Sequence, residues 1–331
     1  MWFKELVGFE ETSPEKVREH LSYQDGWVKS EANGREMYVG ILEVPTLDEL
    51  KQRAPSLDSF HSRLRVKEVV GNVQALHVEP QNEHSVFQAA SQFNLLEMVS
   101  PSVTPEMGID RYSHDHTQGP ACAIACGAGT IYRNYFVPLN GKQGQTRNNQ
   151  INCLDQVGEA LNNSELQLWS MVNGYALLNE HGLLKINALL GSGKVQRDTL
   201  KSLLRVGVQW NTEVTIAKEG HQVTQVYCSA LPVAYSSHID PIYWENFATL
   251  ILEATYEATL YTALINHTKT GCSKVFLTLV GGGAFGNELS WILSALSNAL
   301  IKFRNTPLNV SVVSYGHSNR RLHSTLEKLL E

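Results

Sequence analysis

Cysteine is scarce and unpatterned: five residues (Cys122, Cys126, Cys153, Cys228 and Cys272) stand in 331, with no C-x-x-C pair among them. An odd, scattered set excludes a disulfide framework and reads as reduced thiols in a cytosolic compartment. Positive charge is also short. The 27 Lys and Arg are outnumbered by 33 Asp and Glu, giving a net charge of -6. Nucleic-acid binding and attraction to anionic membrane surfaces are therefore not expected. No apolar run reaches the ~18 residues that span a bilayer. Met1 to Leu6 offer no basic stretch followed by an apolar one, so a secretory signal is not expected either. Internal repeats and low-complexity tracts are missing. What remains is a cytoplasmic globular protein, 43% hydrophobic and 18% charged, with ample chain for a large core.

The most informative stretch that is present runs from Val275 to Asn287. An apolar segment rich in β-formers (Val275 to Val280) meets Gly281, Gly282, Gly283, Ala284, Phe285, Gly286 and Asn287, then a helix expected over about 288–304. A strand, a loop poor in side chains and a helix start can hold a phosphate against backbone N–H groups. Glycine allows positive φ and close approach of a ligand. No Lys-Ser/Thr follows and the spacing is not G-x-G-x-x-G, so neither a triphosphate P-loop nor a dinucleotide fingerprint is indicated. A tight turn in a buried strand–helix unit is the plain alternative.

Residues 1–64 read as an N-terminal α+β extension. Ser13-Pro14 signals the start of a short helix, Asn33-Gly34 a hairpin between 27–30 and 35–42, and Thr46 a second helix to Arg53. Residues 65–331 alternate strand and helix. Strands are expected at 66–78, 85–90, 168–178, 207–217, 222–235 and 309–315, and helices at 120–135, 152–161, 199–206 and 242–267, the last capped at Asp240-Pro241. This rhythm predicts an α/β fold with helices on both faces of a sheet.

Four segments of the second region, in order, resemble a macrodomain, the fold that binds ADP-ribose and often hydrolyses its linkages. Val70-Gly71-Asn72-Val73 resembles the first-strand motif, with Asn72 where the family places an adenine-binding Asp; an amide oxygen also accepts from the adenine amino group. Val86 to Ser91 resembles the strand ending in Asn-Ala-Ala-Asn, with Gln88 and Ser91 in place of the asparagines. The ribose contact then falls to Ser91 or Asn94, with Ala90 also lining the ligand. Leu279 to Asn287 resembles the second phosphate loop, with Phe285 on the distal ribose, and Val310 to Tyr315 the last strand, with Tyr315 stacking on adenine. The resemblance covers about 66–318. It implies a three-layer α/β/α sandwich with a mixed sheet and an ADP-ribosylhydrolase without cofactor, closest to a bacterial effector type acting on ADP-ribosylated ubiquitin. A non-catalytic reader of ADP-ribose would need the same pocket.

The connection from Asn94 to Pro120 carries Glu97, Glu106, Asp110, Asp115, His114, His116 and Gln118. A loop this long in a compact domain is usually functional. Cleavage at the ribosyl C1″ builds positive charge that a carboxylate stabilises while activating water. Asp115 is the expected base, Asp110 its partner, and Gln118 the water- or ribose-holding amide. Capping of the next helix by Asp115 or Thr117 is the competing explanation. Gly119, Pro120 and Ala121 open that helix, whose N-terminus suits a diphosphate; the small residues that follow fit close packing equally well. His114, His116, Cys122 and Cys126 match no common zinc template, and a magnesium site on Asp110 and Asp115 has no support, so no metal is expected.

Overall fold

The computed structural model describes residues 1–218 and 220–330. Its centre is a seven-stranded mixed sheet, ordered Ile41–Glu43, Gly207–Glu213, Gln222–Cys228, Val86–Ala90, Lys274–Leu277, Asn309–Ser314, Arg65–Val70. The first two junctions are antiparallel. The remaining four are parallel, so every strand but Gly207–Glu213 runs the same way and six strands end on one side of the sheet.

Helices cover both faces, as the alternating pattern predicts. Within Val86–Ala90, neighbouring residues point to opposite layers. Phe87 stacks on His77 of the Val73–Val78 helix at 3.7 Å between ring centres. Gln88 instead donates to Thr259 Oγ1 of the Pro241–Thr270 helix at 3.0 Å. That long helix is buried along much of its length and packs on the sheet and on the Leu289–Lys302 helix. It starts at Asp240, whose carboxylate accepts from Ile242 N, and stops at Gly271 with φ 77°. The fold is α/β with three layers.

The N-terminal residues divide between two places. Ile41–Glu43 pairs with Gly207–Glu213, and the Leu47–Arg53 helix, closed by a Thr46–Glu49 capping box, packs on the long helix. A structural break therefore does not fall at residue 64. Residues 1–39 form a separate layer with its own small core. There Phe3, Leu6, Val17, Val28 and Met37 pack against Leu96, Met98, Ile109 and Tyr112 of the long 94–120 connection.

Local sequence signals fail where two elements share one apolar run. The strand expected over 66–78 ends at Val70, because Asn72 turns the chain and caps a helix, its Oδ1 accepting from Gln74 N at 2.8 Å. The strand expected over 168–178 is a hairpin, Trp169–Val172 and Tyr175–Leu178, folded at Asn173-Gly174 with both residues at positive φ. The helix expected over 120–135 breaks at Cys126 (φ -115°, ψ 62°) and resumes as Gly127–Ile131, then widens into a π-turn to Phe136. The Glu180–Gly191 and Arg320–Leu330 helices have no counterpart among the expected elements.

Candidate functional site

The ends of the parallel strands open into a cleft, the position an open α/β sheet favours for ligands. It has two adjoining chambers of about 800 and 230 Å³. Both are lined by Asp115, Thr117, Gln118, Thr278, Leu279 and Gly283, which form their common wall. The larger volume lies within the range of small-ligand sites, about 300–1,000 Å³.

Asn72, Val73 and Tyr315 line the larger chamber. They reach it because their strands run parallel side by side, Ser314 opposite Val70. Tyr315 is 73% exposed, a ring offered to solvent above the cleft. The Asn72 amide oxygen is already used as a helix cap. Trp2 reaches the same chamber from the first helix, its indole N–H donating to Ile109 O at 3.2 Å.

The glycine-rich loop forms the floor. Gly282, Gly283 and Asn287 face the larger chamber; Gly281, Gly283, Ala284 and Phe285 face the smaller. The loop is pinned by Gly282 N to Leu279 O, Gly286 N to Gly283 O and Asn287 N to Gly281 O. Among the described residues, the N–H groups of Gly283, Ala284 and Phe285 have no protein acceptor. Three successive free donors on a turn make an anion-binding concavity. Gly286 corrects the expectation: it lines neither chamber. At φ 67°, its hydrogen faces Ala234, whose Cβ would be 2.8 Å from an added methyl. The Asn287 amide braces the loop, Nδ2 donating to Leu231 O at 2.8 Å.

Ala90 and Ser91 end the central strand and line the smaller chamber. Asn94 does not line either chamber. Its side chain is fully buried, accepting from Leu96 N and donating to Gln150, so the turn spends it on backbone support. Gln88 points the other way, into the long-helix layer. The far wall holds a ring cluster that no sequence motif announces: Tyr175 lies 5.1 Å from Tyr235 and 5.4 Å from Phe285. Tyr175 and Tyr235 sit on segments far from the motifs, and no local signal singles them out.

The 94–120 connection divides its acids between scaffold and cleft. Asp110 is turned away. Its carboxylate accepts from Phe3 N at 3.1 Å and its own N–H donates to Glu11, tying the N-terminal layer down. Asp115 lies between the chambers, half-buried, with Oδ1 accepting from Thr117 N at 2.9 Å. It thus caps the next turn and faces the cleft. Gln118 also lines both chambers, but its amide is spoken for: Oε1 accepts from Ala90 N at 2.8 Å and Nε2 donates to Gln88 O at 2.7 Å. It latches the helix to the strand end rather than holding water. Gly119 and Pro120 line the smaller chamber and Ala121 the larger.

Glu97 belongs to the same connection, and nothing in its sequence context sets it above the other acids there. It lines the smaller chamber, is 4% exposed, and its Oε1 has no hydrogen-bond partner. Burial holds its carboxyl well above the usual carboxylate range; the nearby Arg133 opposes that rise and Asp115 adds to it. A carboxyl whose proton affinity is raised by burial, near a second carboxylate in a cleft, has the electrostatics that suit a general acid. Its position follows from a tightly bonded turn. Gln92 N donates to Leu96 O, Met98 N to Gln92 Oε1, and Glu97 N to the Tyr112 hydroxyl at 2.9 Å.

The four residues weighed as zinc ligands are not gathered: His114 and His116 are exposed while Cys122 and Cys126 are buried. Among the described residues, no group of three or more His, Cys, Asp or Glu is placed to share a metal ion. None of the described helices is long and apolar enough to cross a membrane.

No known protein family and no curated protein matches this sequence. Among solved structures, the chain is similar to poly(ADP-ribose) glycohydrolase from Thermomonospora curvata bound to the inhibitor ADP-HPD, with 12% identity and TM-score 0.47 over 95% of this chain and 96% of that one. A point mutant of that enzyme gives 11% identity and TM-score 0.48 over 96% of each chain. Poly(ADP-ribose) glycohydrolase from Deinococcus radiodurans in complex with ADP-ribose gives 13% and 0.40, covering 88% of this chain and 94% of that one. Likenesses this loose assign no residue a role.

Proposed function

We propose that the cleft binds ADP-ribose and that the protein is an ADP-ribosylhydrolase, cleaving the C1″ bond between the distal ribose and a modified protein. One observation carries the reading. The four macrodomain-like segments, scattered over about 240 residues of chain, line one cleft whose inner chamber holds a buried carboxyl, Glu97, with its proton affinity raised by desolvation.

In this reading the adenine lies by Asn72 and Tyr315, and the diphosphate rests on the free N–H groups of Gly283 to Phe285. The distal ribose enters the smaller chamber beside Phe285, Tyr235 and Glu97. Glu97 donates its proton to the leaving atom as the C1″ bond breaks and that atom takes the electron pair. Asp115 accepts a proton from the water that attacks C1″, and stabilises the positive charge on the ring. Acceptors on proteins are the proposed substrates, with ADP-ribosylated ubiquitin the first to assay.

Calorimetric titration with ADP-ribose, using AMP and ribose-5-phosphate as controls, tests the pocket. Micromolar, ADP-ribose-selective binding, about -8 kcal/mol, is expected, followed by release of ADP-ribose from modified proteins. Binding with no turnover on any acceptor would make the protein a reader. No binding at millimolar ligand would overturn both.

A further inference from the structure

Beneath the turn that carries Glu97 lies a buried cation without a buried anion. Arg133 is 1% exposed, on the π-turn that ends the broken helix. Nε donates to Leu95 O at 3.1 Å, Nη2 to Thr130 Oγ1 at 3.0 Å, and Nη1 to Gln209 Oε1 at 3.4 Å. The guanidinium carbon lies 3.7 Å from the centre of the Tyr227 ring. Every one of these partners is neutral. Among the described residues, no Asp or Glu forms an ion pair with Arg133. Taking a guanidinium out of water costs several kcal/mol unless an anion or a dense set of acceptors repays it. Such a charge is kept where it acts on something.

The carbonyl it grips belongs to Leu95, two residues before Glu97. Leu95 has φ 65°, a conformation that a branched side chain rarely adopts. Its side chain is accommodated because residue 207 is glycine: an added methyl there would meet Leu95 Cδ1 at 2.5 Å. The turn is therefore strained, and the Arg133–Leu95 bond holds it.

We propose that Arg133 is the positioning residue for Glu97: its guanidinium fixes the strained Leu95 turn that aims the carboxyl into the smaller chamber, and its charge stabilises the carboxylate left after the proton is given away. This deepens the hydrolase reading and rests on it for the catalytic step. In that step Glu97 O–H loses its proton to the leaving atom, which takes the electron pair of the C1″ bond. Glu97 becomes a buried anion in the field of Arg133, until the proton that Asp115 took from water returns. The other titratable groups around it are Asp115 on the cleft side, Tyr112 and Tyr175 from the flanking segments, Cys122 on the adjacent helix, and Tyr227 under the guanidinium itself. None is a cation.

The test follows the Glu97 carboxyl directly. Infrared difference spectra of wild type against Glu97→Gln isolate the C=O stretch of the protonated acid, and its loss with rising pH gives a titration midpoint. In Arg133→Met the midpoint is expected to move to higher pH, and in Arg133→Lys to stay nearer wild type. Turnover should fall about 10–100-fold in Arg133→Met, with KM little changed, and recover in part in Arg133→Lys. Should Arg133→Met fail to fold, Gln209→Glu places a competing carboxylate on the guanidinium and is expected to move the midpoint the same way. An unmoved midpoint in the folded variants overturns the proposal. A moved midpoint in a protein that hydrolyses nothing upholds the Arg133–Glu97 coupling and defeats the hydrolase reading alone.

Discussion

Oε2 of Glu97 occupies the space a side chain would need on Gly119: a methyl group there would stand 2.3 Å from that oxygen and 1.9 Å from Ala90 O. Glycine at the second position of this helix lets a buried carboxyl lie against the helix start and the strand end together. The pair explains why the small residues opening this helix are more than packing. They leave room for an acid that arrives from another segment.

Replacing Glu97 by Gln is expected to abolish the proposed hydrolysis, by about 10²–10⁴-fold, while ADP-ribose binding by calorimetry stays within a few-fold. Stability should move the other way. Burial raises the proton affinity of Glu97 on folding, so its contribution is intact at low pH and is lost as pH rises through and above the ordinary carboxylate range. Thermal melts should therefore show Glu97→Gln more stable than wild type at pH 8 and equal to it at pH 4. A variant less stable at pH 8 would remove the neutral-acid assignment.

Asp115 and Asp110, five residues apart, should behave differently. Asp115→Asn keeps an oxygen to cap Thr117 N, costs under about 1 kcal/mol, and is expected to lose turnover with binding retained. Asp110→Asn weakens the bond to Phe3 N and should lower the melting temperature while leaving residual turnover within a few-fold. Equal kinetic losses in the two variants would contradict the division of roles.

The free N–H groups of the glycine-rich loop can be probed without breaking the fold. A methyl group on Gly283 meets no atom within 4 Å, whereas one on Gly281 would lie 2.6 Å from Ala230 Cβ at φ 79°. Gly283→Ala should thus keep the wild-type melting temperature and weaken ADP-ribose binding about tenfold or more, about 1.4 kcal/mol. Gly281→Ala should destabilise the protein. Unchanged affinity in Gly283→Ala would place the diphosphate elsewhere.

Acid should unfold the protein through His77. This ring is wholly buried, stacked on Phe87, with Nδ1 at 2.8 Å from Val73 O. Burial lowers its pKa from 6.5 to about 4. The unfolded chain binds the proton first, so stability is full above about pH 6.5 and falls as pH drops toward 4, by about 3 kcal/mol in all. In denaturant melts, His77→Gln should flatten the slope between pH 6.5 and 4. An unchanged slope would show that another group controls acid unfolding.

The outline of the fold was legible in residues that act locally. Ser13 and Asp240 cap the helices they were expected to cap, Asn33-Gly34 turns the chain between two paired strands, and the run from Val275 ends in a loop before a helix at Leu289. The site was legible only in part. The motif-like segments lead to the cleft because each is fixed at the end of a parallel strand. Asp110, Asn94 and Gly286, chosen by spacing or neighbourhood, are held by partners 107, 56 and about 50 residues away, contacts that no local pattern records.

What the sequence determined by itself is periodicity, capping and the placing of glycine, since these depend on a residue and its near neighbours. They set an α/β chain with a donor-rich loop at a strand end. Tertiary structure decided which acid holds its proton more tightly. Glu97, Asp110 and Asp115 are chemically alike in the sequence. Burial beside Gly119 and Arg133, a bond to the N-terminal layer, and exposure in the cleft make them three different groups. Desolvation and long-range partners separate them, and neither exists until the chain has folded.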